Sequence, residues 1–123
     1  MLRSSFPILE VPDMAAALRF YGDVLGGEVV YRFPPEGETV YLSLAVGGSS
    51  LGIGLADGPR AEAASAPVVL WIYVDDVDAA TEAARAAGAT VLEEPVDQVW
   101  GERVSLVADP FGLRVRLGQE PRA

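Results

Sequence analysis

The feature that most constrains this chain is an internal repeat. The segment ILEVPDMAAALRFYGDVLGGEVVYR, from Ile8, runs parallel to WIYVDDVDAATEAARAAGATVLEE, from Trp71. In each, a short apolar strand ends in a valine (Val11, Val74), and an aspartate follows two residues later (Asp13, Asp76). An aspartate there reads as a helix N-cap, since its carboxylate accepts backbone N–H groups that the first turn leaves unpaired. Each helix stops near a glycine (Gly26, Gly88), and a β-rich strand follows, Glu28 to Phe33 and Thr90 to Glu93. Further along, TVYLSLAVGGSSLGIGLA matches ERVSLVADPFGLRVRLGQ at a shift of 62 residues, which sets Ser43 on Ser105, Leu44 on Leu106, Leu51 on Leu113 and Ile53 on Val115. Each is a strand, a tight turn and a strand, with Gly47-Gly48 and Asp109-Pro110-Phe111-Gly112 as turn residues. The chain therefore reads as βαβββ twice, an α+β protein. Module one spans 1–57, a linker rich in small residues 58–67, and module two 68–123. Neither copy alone covers both faces of its sheet, so the two are expected to pack as a single domain.

Composition removes whole classes of chemistry. The 123 residues include no cysteine and no histidine. Thiolate redox chemistry, a disulfide framework and histidine-dependent triads are excluded, and any metal site would depend on carboxylates alone. The net charge of −9, with arginine supplying all nine basic residues, argues against nucleic acid and anionic membranes as partners. No apolar run reaches transmembrane length, and the N-terminus MLRSSFPILEVPD has no signal-peptide core. A cytoplasmic location is the expectation.

The segments VPDMAAALRFYGDVLGGEV, VDDVDAATEAARAAGATV and VADPFGLRVRL together resemble the vicinal oxygen chelate superfamily, which contains glyoxalases, bleomycin-resistance proteins and extradiol dioxygenases. The resemblance covers nearly the whole chain. It implies two βαβββ modules whose curved sheets form a cup with helices outside, and a homodimer. Metal-dependent members of that family place four ligands in the cup, typically two His and two Glu. Aligned on the motifs, those positions fall on Phe6, Gly54, Val69 and Arg116. Phe, Gly and Val side chains offer no donor atom, and a guanidinium repels a cation. The resemblance therefore implies the fold but not the metal, and no cofactor is expected.

Strand alternation sorts side chains onto two faces. Leu70, Ile72 and Val74 are expected against the helices, with Trp71 and Tyr73 opposite. In the first strand Leu9 and Val11 should pack inward, leaving Phe6, Ile8 and Glu10 for the cup. In the last strand Val115 and Leu117 pack inward and Arg114 and Arg116 point away. In the strand before it, Val104 and Leu106 are expected inward and Arg103, Ser105 and Val107 in the cup. The 62-residue shift adds Tyr41, Ser43, Gly52 and Gly54, and Trp100 lies at the rim. The expected ligand-binding set is thus Phe6, Glu10, Tyr41, Gly54, Trp71, Tyr73, Trp100, Arg103 and Arg116. Glu10 is expected to pair with Arg103 or Arg116, because a buried charge needs a partner.

Two functions fit this set. One is metal-independent binding of a small planar, neutral or partly anionic molecule, such as an antibiotic held by sequestration, with aromatic rings stacking on it and arginines contacting it. The other is metal-free isomerase or lyase chemistry with Glu10 as base. The DPFG turn, Asp13 and Asp76 are read as structural.

Overall fold

The computed structural model describes residues 1, 3–56 and 68–121, and it separates into two compact units, Met1–Pro59 and Arg60–Ala123. The expected linker at 58–67 lies outside the described residues. The first unit contains β1 (Ile8–Val11), α1 (Met14–Leu18) continuing into a π-helical turn (Arg19–Val24), β2 (Glu28–Phe33), β3 (Tyr41–Val46) and β4 (Ser49–Leu55). The second contains β5 (Leu70–Tyr73), α2 (Val77–Ala86), β6 (Thr90–Asp97), β7 (Arg103–Ala108) and β8 (Arg114–Gln119). Each unit is a four-stranded sheet, ordered β1-β4-β3-β2 and β5-β8-β7-β6, so the βαβββ order holds twice. The first strand pairs parallel with the last, and the remaining pairs are antiparallel.

Both helices start where the aspartates require. Asp13 Oδ1 accepts the Ala16 N–H at 3.0 Å and Asp76 Oδ1 accepts the Ala79 N–H at 3.1 Å. The second start is also tied across the sheet, because Gln119 Oε1 accepts the Val77 N–H at 2.9 Å. Gly26 and Gly88 end the helices with φ of 85° and 98°, left-handed values that favour glycine. The first helix differs from expectation in widening after Leu18. There the adjacent Phe20 and Tyr21 are both buried, their rings edge-to-face at 4.9 Å.

The helix-facing rows follow the pairing register. In the first unit Leu42, Leu44, Leu51 and Ile53 are buried beside Val11. In the second, Ile72, Val107, Val115 and Leu117 are buried with Val77 and Ala84 of α2. Burying each aliphatic side chain of this kind contributes about 1.5–3 kcal/mol.

The β7 strand corrects the sequence reading. Trp71 lies opposite Arg116 as Ile8 lies opposite Gly52, and Leu106 lies opposite Arg116 as Ser43 lies opposite Gly52. Ser43 therefore corresponds to Leu106, a shift of 63, and Gly52 corresponds to Arg116, a shift of 64. The identity between Ser43 and Ser105 is one residue out of register. A slip of one reverses the faces of a strand, and a slip of two restores them. So β8 faces as expected while β7 is inverted. Ser105 and Val107 pair with Leu117 and Val115 and turn to the helix; Val104 and Leu106 turn away from it.

Arg103 moves with them. It does not share the face of Trp71 and Arg116; it binds Asp78 of α2 through Nε and Nη2 at 2.8 and 3.0 Å, and Asp97 through Nη1 at 3.2 Å. Its hydrogen bond holds the Asp78 carboxyl below the ordinary carboxylate range.

Ser105 is fully buried and lies 2.8 Å from the Thr81 hydroxyl. Thr81 donates its one proton to the Val77 carbonyl at 2.6 Å, so Ser105 is the donor of the pair. Thr81→Val is expected to cost about 1–3 kcal/mol, since it leaves the Ser105 hydroxyl buried without an acceptor. Adding Ser105→Ala should recover part of that loss, as read by urea denaturation of the single and double variants.

Candidate functional site

Each sheet turns one face to its helix, and the other carries the candidate site. In the first unit two rows cross that second face. One is Ile8, Gly52, Ser43 and Tyr31; the other is Glu10, Gly54, Tyr41 and Phe33. Tyr31 and Tyr41 approach with ring centroids 6.2 Å apart. The Tyr41 hydroxyl lies over Gly52, where a Cβ would come within 2.6 Å of it. Gly54, between Glu10 and Tyr41, is roomier: a Cβ there would meet nothing nearer than 3.9 Å. Phe6 precedes β1, outside any strand, and is exposed.

In the second unit the rows are Trp71, Arg116, Leu106 and Glu93, then Tyr73, Gly118, Val104 and Val96. Gly118 corresponds to Gly54 and has a defined task. A Cβ on it would stand 2.9 Å from Trp71 Nε1 and 3.0 Å from Cζ2, so the indole lies directly on the bare backbone. Tyr73 packs edge-on to Trp71 with centroids 5.9 Å apart. Both rings remain accessible, Trp71 at 40% and Tyr73 at 52%. Trp100 stands in the β6–β7 turn, which Gly101 closes at φ 102°. Its indole N–H donates to Glu102 Oε1 at 2.6 Å. Trp71, Glu93, Gln98, Trp100, Val104 and Arg116 enclose a pocket of about 240 Å³.

Charges on this face are balanced locally. Arg116 Nη1 pairs with Glu93 Oε1 at 3.1 Å. The partners expected for Glu10 are therefore engaged elsewhere: Arg116 by Glu93, and Arg103 by Asp78 and Asp97. Glu102 adds a further carboxylate, whose hydrogen bonding and charge push the Tyr73 phenol above the ordinary tyrosine range. Burial and the charge of Glu120 act in the same direction, and a hydrogen bond from Trp71 opposes them.

The structure thus places Phe6, Glu10, Tyr41 and Gly54 in the first unit, and gathers Trp71, Tyr73, Trp100 and Arg116 in the second. Arg103 is not among them. The sequence reading missed Tyr31 and Phe33, although the alternation Tyr31, Arg32, Phe33 in β2 marks them. It also missed Glu93, Gln98, Glu102 and Gly118, whose roles depend on pairing across strands. A larger hollow, about 630 Å³, lies on the helix side of the first sheet, floored by Leu42 and Leu55. Its wall runs to Leu55, next to Ala56, where the described part of the module ends, so it supports no ligand assignment.

The metal implied by the fold family does not fit these residues. Phe6 and Val69 have no donor atoms, Arg116 is a fixed cation, and its counterpart in the first unit is Gly52 by the pairing register, not the expected Gly54, and is equally without a donor. Among the described residues no three acidic side chains cluster in a way that could hold an ion.

Titration tests the aromatic network. Below the ordinary tyrosine value of 10.0 the Tyr73–Glu102 bond is intact, and its contribution is lost as pH rises through the higher folded-state value. Phenolate absorbance, with Tyr73→Phe as reference, should show Tyr73 ionising later than an ordinary tyrosine. Glu102→Gln should bring it back towards the ordinary value.

A family model for the Glyoxalase/Bleomycin resistance protein/Dioxygenase superfamily matches residues 7–117. An uncharacterized protein from Mycobacterium bovis is 35% identical over 125 residues, covering 94% of this chain and 82% of its own length. A putative glyoxylase from Mycobacterium tuberculosis is 30% identical over 115 residues; the match covers 93% of this chain but 44% of the relative. Among solved structures, TioX from Micromonospora superimposes with a TM-score of 0.76 at 23% identity, over 98% of both chains. A glyoxalase-related enzyme from Fulvimarina pelagi gives 0.77 at 22% identity, over 98% of this chain and 89% of its own. These two likenesses concern the fold. With the repeated βαβββ order and the match across nearly all of both modules, the chain belongs to the glyoxalase/bleomycin resistance protein/dioxygenase superfamily.

Proposed function

We propose that this protein is a metal-independent small-molecule-binding member of its superfamily, which holds a planar, neutral or partly anionic ligand on the Trp71 face of its second module. The observation that carries this reading is the Trp71 indole seated against the bare backbone of Gly118, still 40% accessible and bordering a pocket. A ring fixed in this way stacks on a flat ligand with little further loss of side-chain entropy. Arg116 makes one hydrogen bond to Glu93 among the described residues, so donors of its guanidinium remain for an acceptor on the ligand. The net charge of the face disfavours a strongly anionic ligand, because Glu93 and Glu102 both lie close to Arg116 and the rings. Antibiotic sequestration is one use of such a site.

Tryptophan fluorescence tests the reading. Quenching by members of a panel of aromatic antibiotics and anionic metabolites is expected with and without a chelator. Gly118→Ala should push the Trp71 ring off its seat on the backbone and towards solvent, and weaken binding about tenfold or more while changing stability by under about 1 kcal/mol. A flat response across the panel, or quenching that needs added metal, contradicts the proposal.

A second reading rests on the first module. Glu10 and Tyr41 flank the open space above Gly54, an arrangement that would let a carboxylate take a proton from a substrate carbon while a phenol supplies one. Under this reading Glu10→Gln abolishes turnover of an isomerase-type substrate and leaves binding intact. Unchanged turnover removes Glu10 as the base.

A further inference from the structure

We propose that the pocket between Trp71 and Trp100 selects a flat heteroaromatic ring whose edge carries a carbonyl beside an N–H, that is, a cyclic amide. The inference rests on the small-molecule reading above and names its ligand class.

Three observations lead to it. First, the pocket is sized for one or two fused rings, at about 240 Å³, and is lined by two indoles. Trp71 rests against the Gly118 backbone and beside the Tyr73 ring, and 40% of it stays accessible for stacking. Trp100 is fixed through Glu102, which accepts its indole proton at 2.6 Å.

Second, the polar end of the pocket is an ion pair that is incompletely used. Arg116 and Glu93 touch through one contact, Nη1 to Oε1 at 3.1 Å, and not as a two-bond fork. Among the described residues this is the one hydrogen bond of the pair, which leaves guanidinium N–H donors beside a free carboxylate oxygen. A ligand edge that meets both must present an acceptor to the arginine and a donor to the glutamate. A cyclic amide does so with its C=O and N–H in one plane. Both bonds would be charge-assisted, the stronger kind, and the ion pair need not open to make them.

Third, the same pairing argues against the simpler alternatives. A bare carboxylate ligand would satisfy Arg116 but face Glu93, a like charge. A bare cation would satisfy Glu93 but face Arg116. A hydrocarbon ring would shield both charges from water and return no hydrogen bond.

The test is a fluorescence titration of the intact protein with three probes of one shape: quinolin-2-one, its N-methyl derivative and quinoline. Quinolin-2-one is expected to bind about tenfold or more tighter than the N-methyl derivative, which keeps the carbonyl but leaves Glu93 without a donor. Glu93→Ala should erase that difference, while Arg116→Met should weaken both carbonyl probes together. Equal affinity for all three probes overturns the cyclic-amide inference and leaves the small-molecule reading standing. Binding of none of them also overturns it, and the broader ligand panel then decides the small-molecule reading separately. The comparison among probes on the unmodified protein stands even where a variant fails to fold.

Discussion

The parallel pairing of the first and last strands in each module is the contact on which everything else depends. It sets Leu9 beside Ile53 and Ile72 beside Leu117, and so fixes which row packs under the helix. The alternate row is then determined: Glu10 beside Gly54 in one module, Trp71 beside Arg116 and Tyr73 beside Gly118 in the other. Because side chains alternate with period two, burying the helix-facing row leaves no freedom in what the opposite row presents. The helix caps reinforce the register. Gln119, at the end of β8, accepts the first N–H of α2, and Asp76 accepts another within the same turn.

The repeat uses one frame for two different surfaces. Where the first module has Gly52, the second has Arg116; where the first has Ser43, the second has Leu106. The glycines retained at 54 and 118 are used differently. Gly54 leaves space between an acid and a phenol, whereas Gly118 receives the indole of Trp71. Carboxylates then organise the second surface. Glu93 engages Arg116, and Glu102 accepts the indole N–H of Trp100 and raises the pKa of Tyr73. A face of accessible rings, one of them tied at its edge by a hydrogen bond, suits stacking on a planar molecule. The positions that bear metal ligands in other members of the superfamily supply no coordinating set here.

Much of this was legible before any coordinates. The caps Asp13 and Asp76, the glycine stops, the strand order and the faces of β1, β4, β5 and β8 all follow from local rules of period and capping. Trp100 was expected at the rim, ahead of β7, and lies in the β6–β7 turn, whereas Phe6, read as part of the first strand, lies before β1. The error in facing was confined to β7, and its cause is physical. The true shift from β3 to β7 is 63, which the chance identity of Ser43 with Ser105 at 62 concealed, and the one further residue in the turn between β7 and β8 brings the shift to 64 and restores the face of β8. One residue was enough to send Arg103 to the helix, where Asp78 and Asp97 hold it, and to bury Ser105 against Thr81. The ion pair of Arg116 with Glu93 was not legible either. It joins strands that are not adjacent in the sheet, across a bulged β6 whose register alternation alone cannot supply.

The most direct test of the account is a crystal structure of the protein purified from its native host without added ligand, inspected above Trp71 and beside Arg116. The account predicts flat density stacked on the accessible part of the Trp71 indole, with an edge in hydrogen-bonding reach of Arg116. A metal ion coordinated at that face, or the side chains of a second copy of the chain packed over Trp71 in place of a ligand, would contradict it.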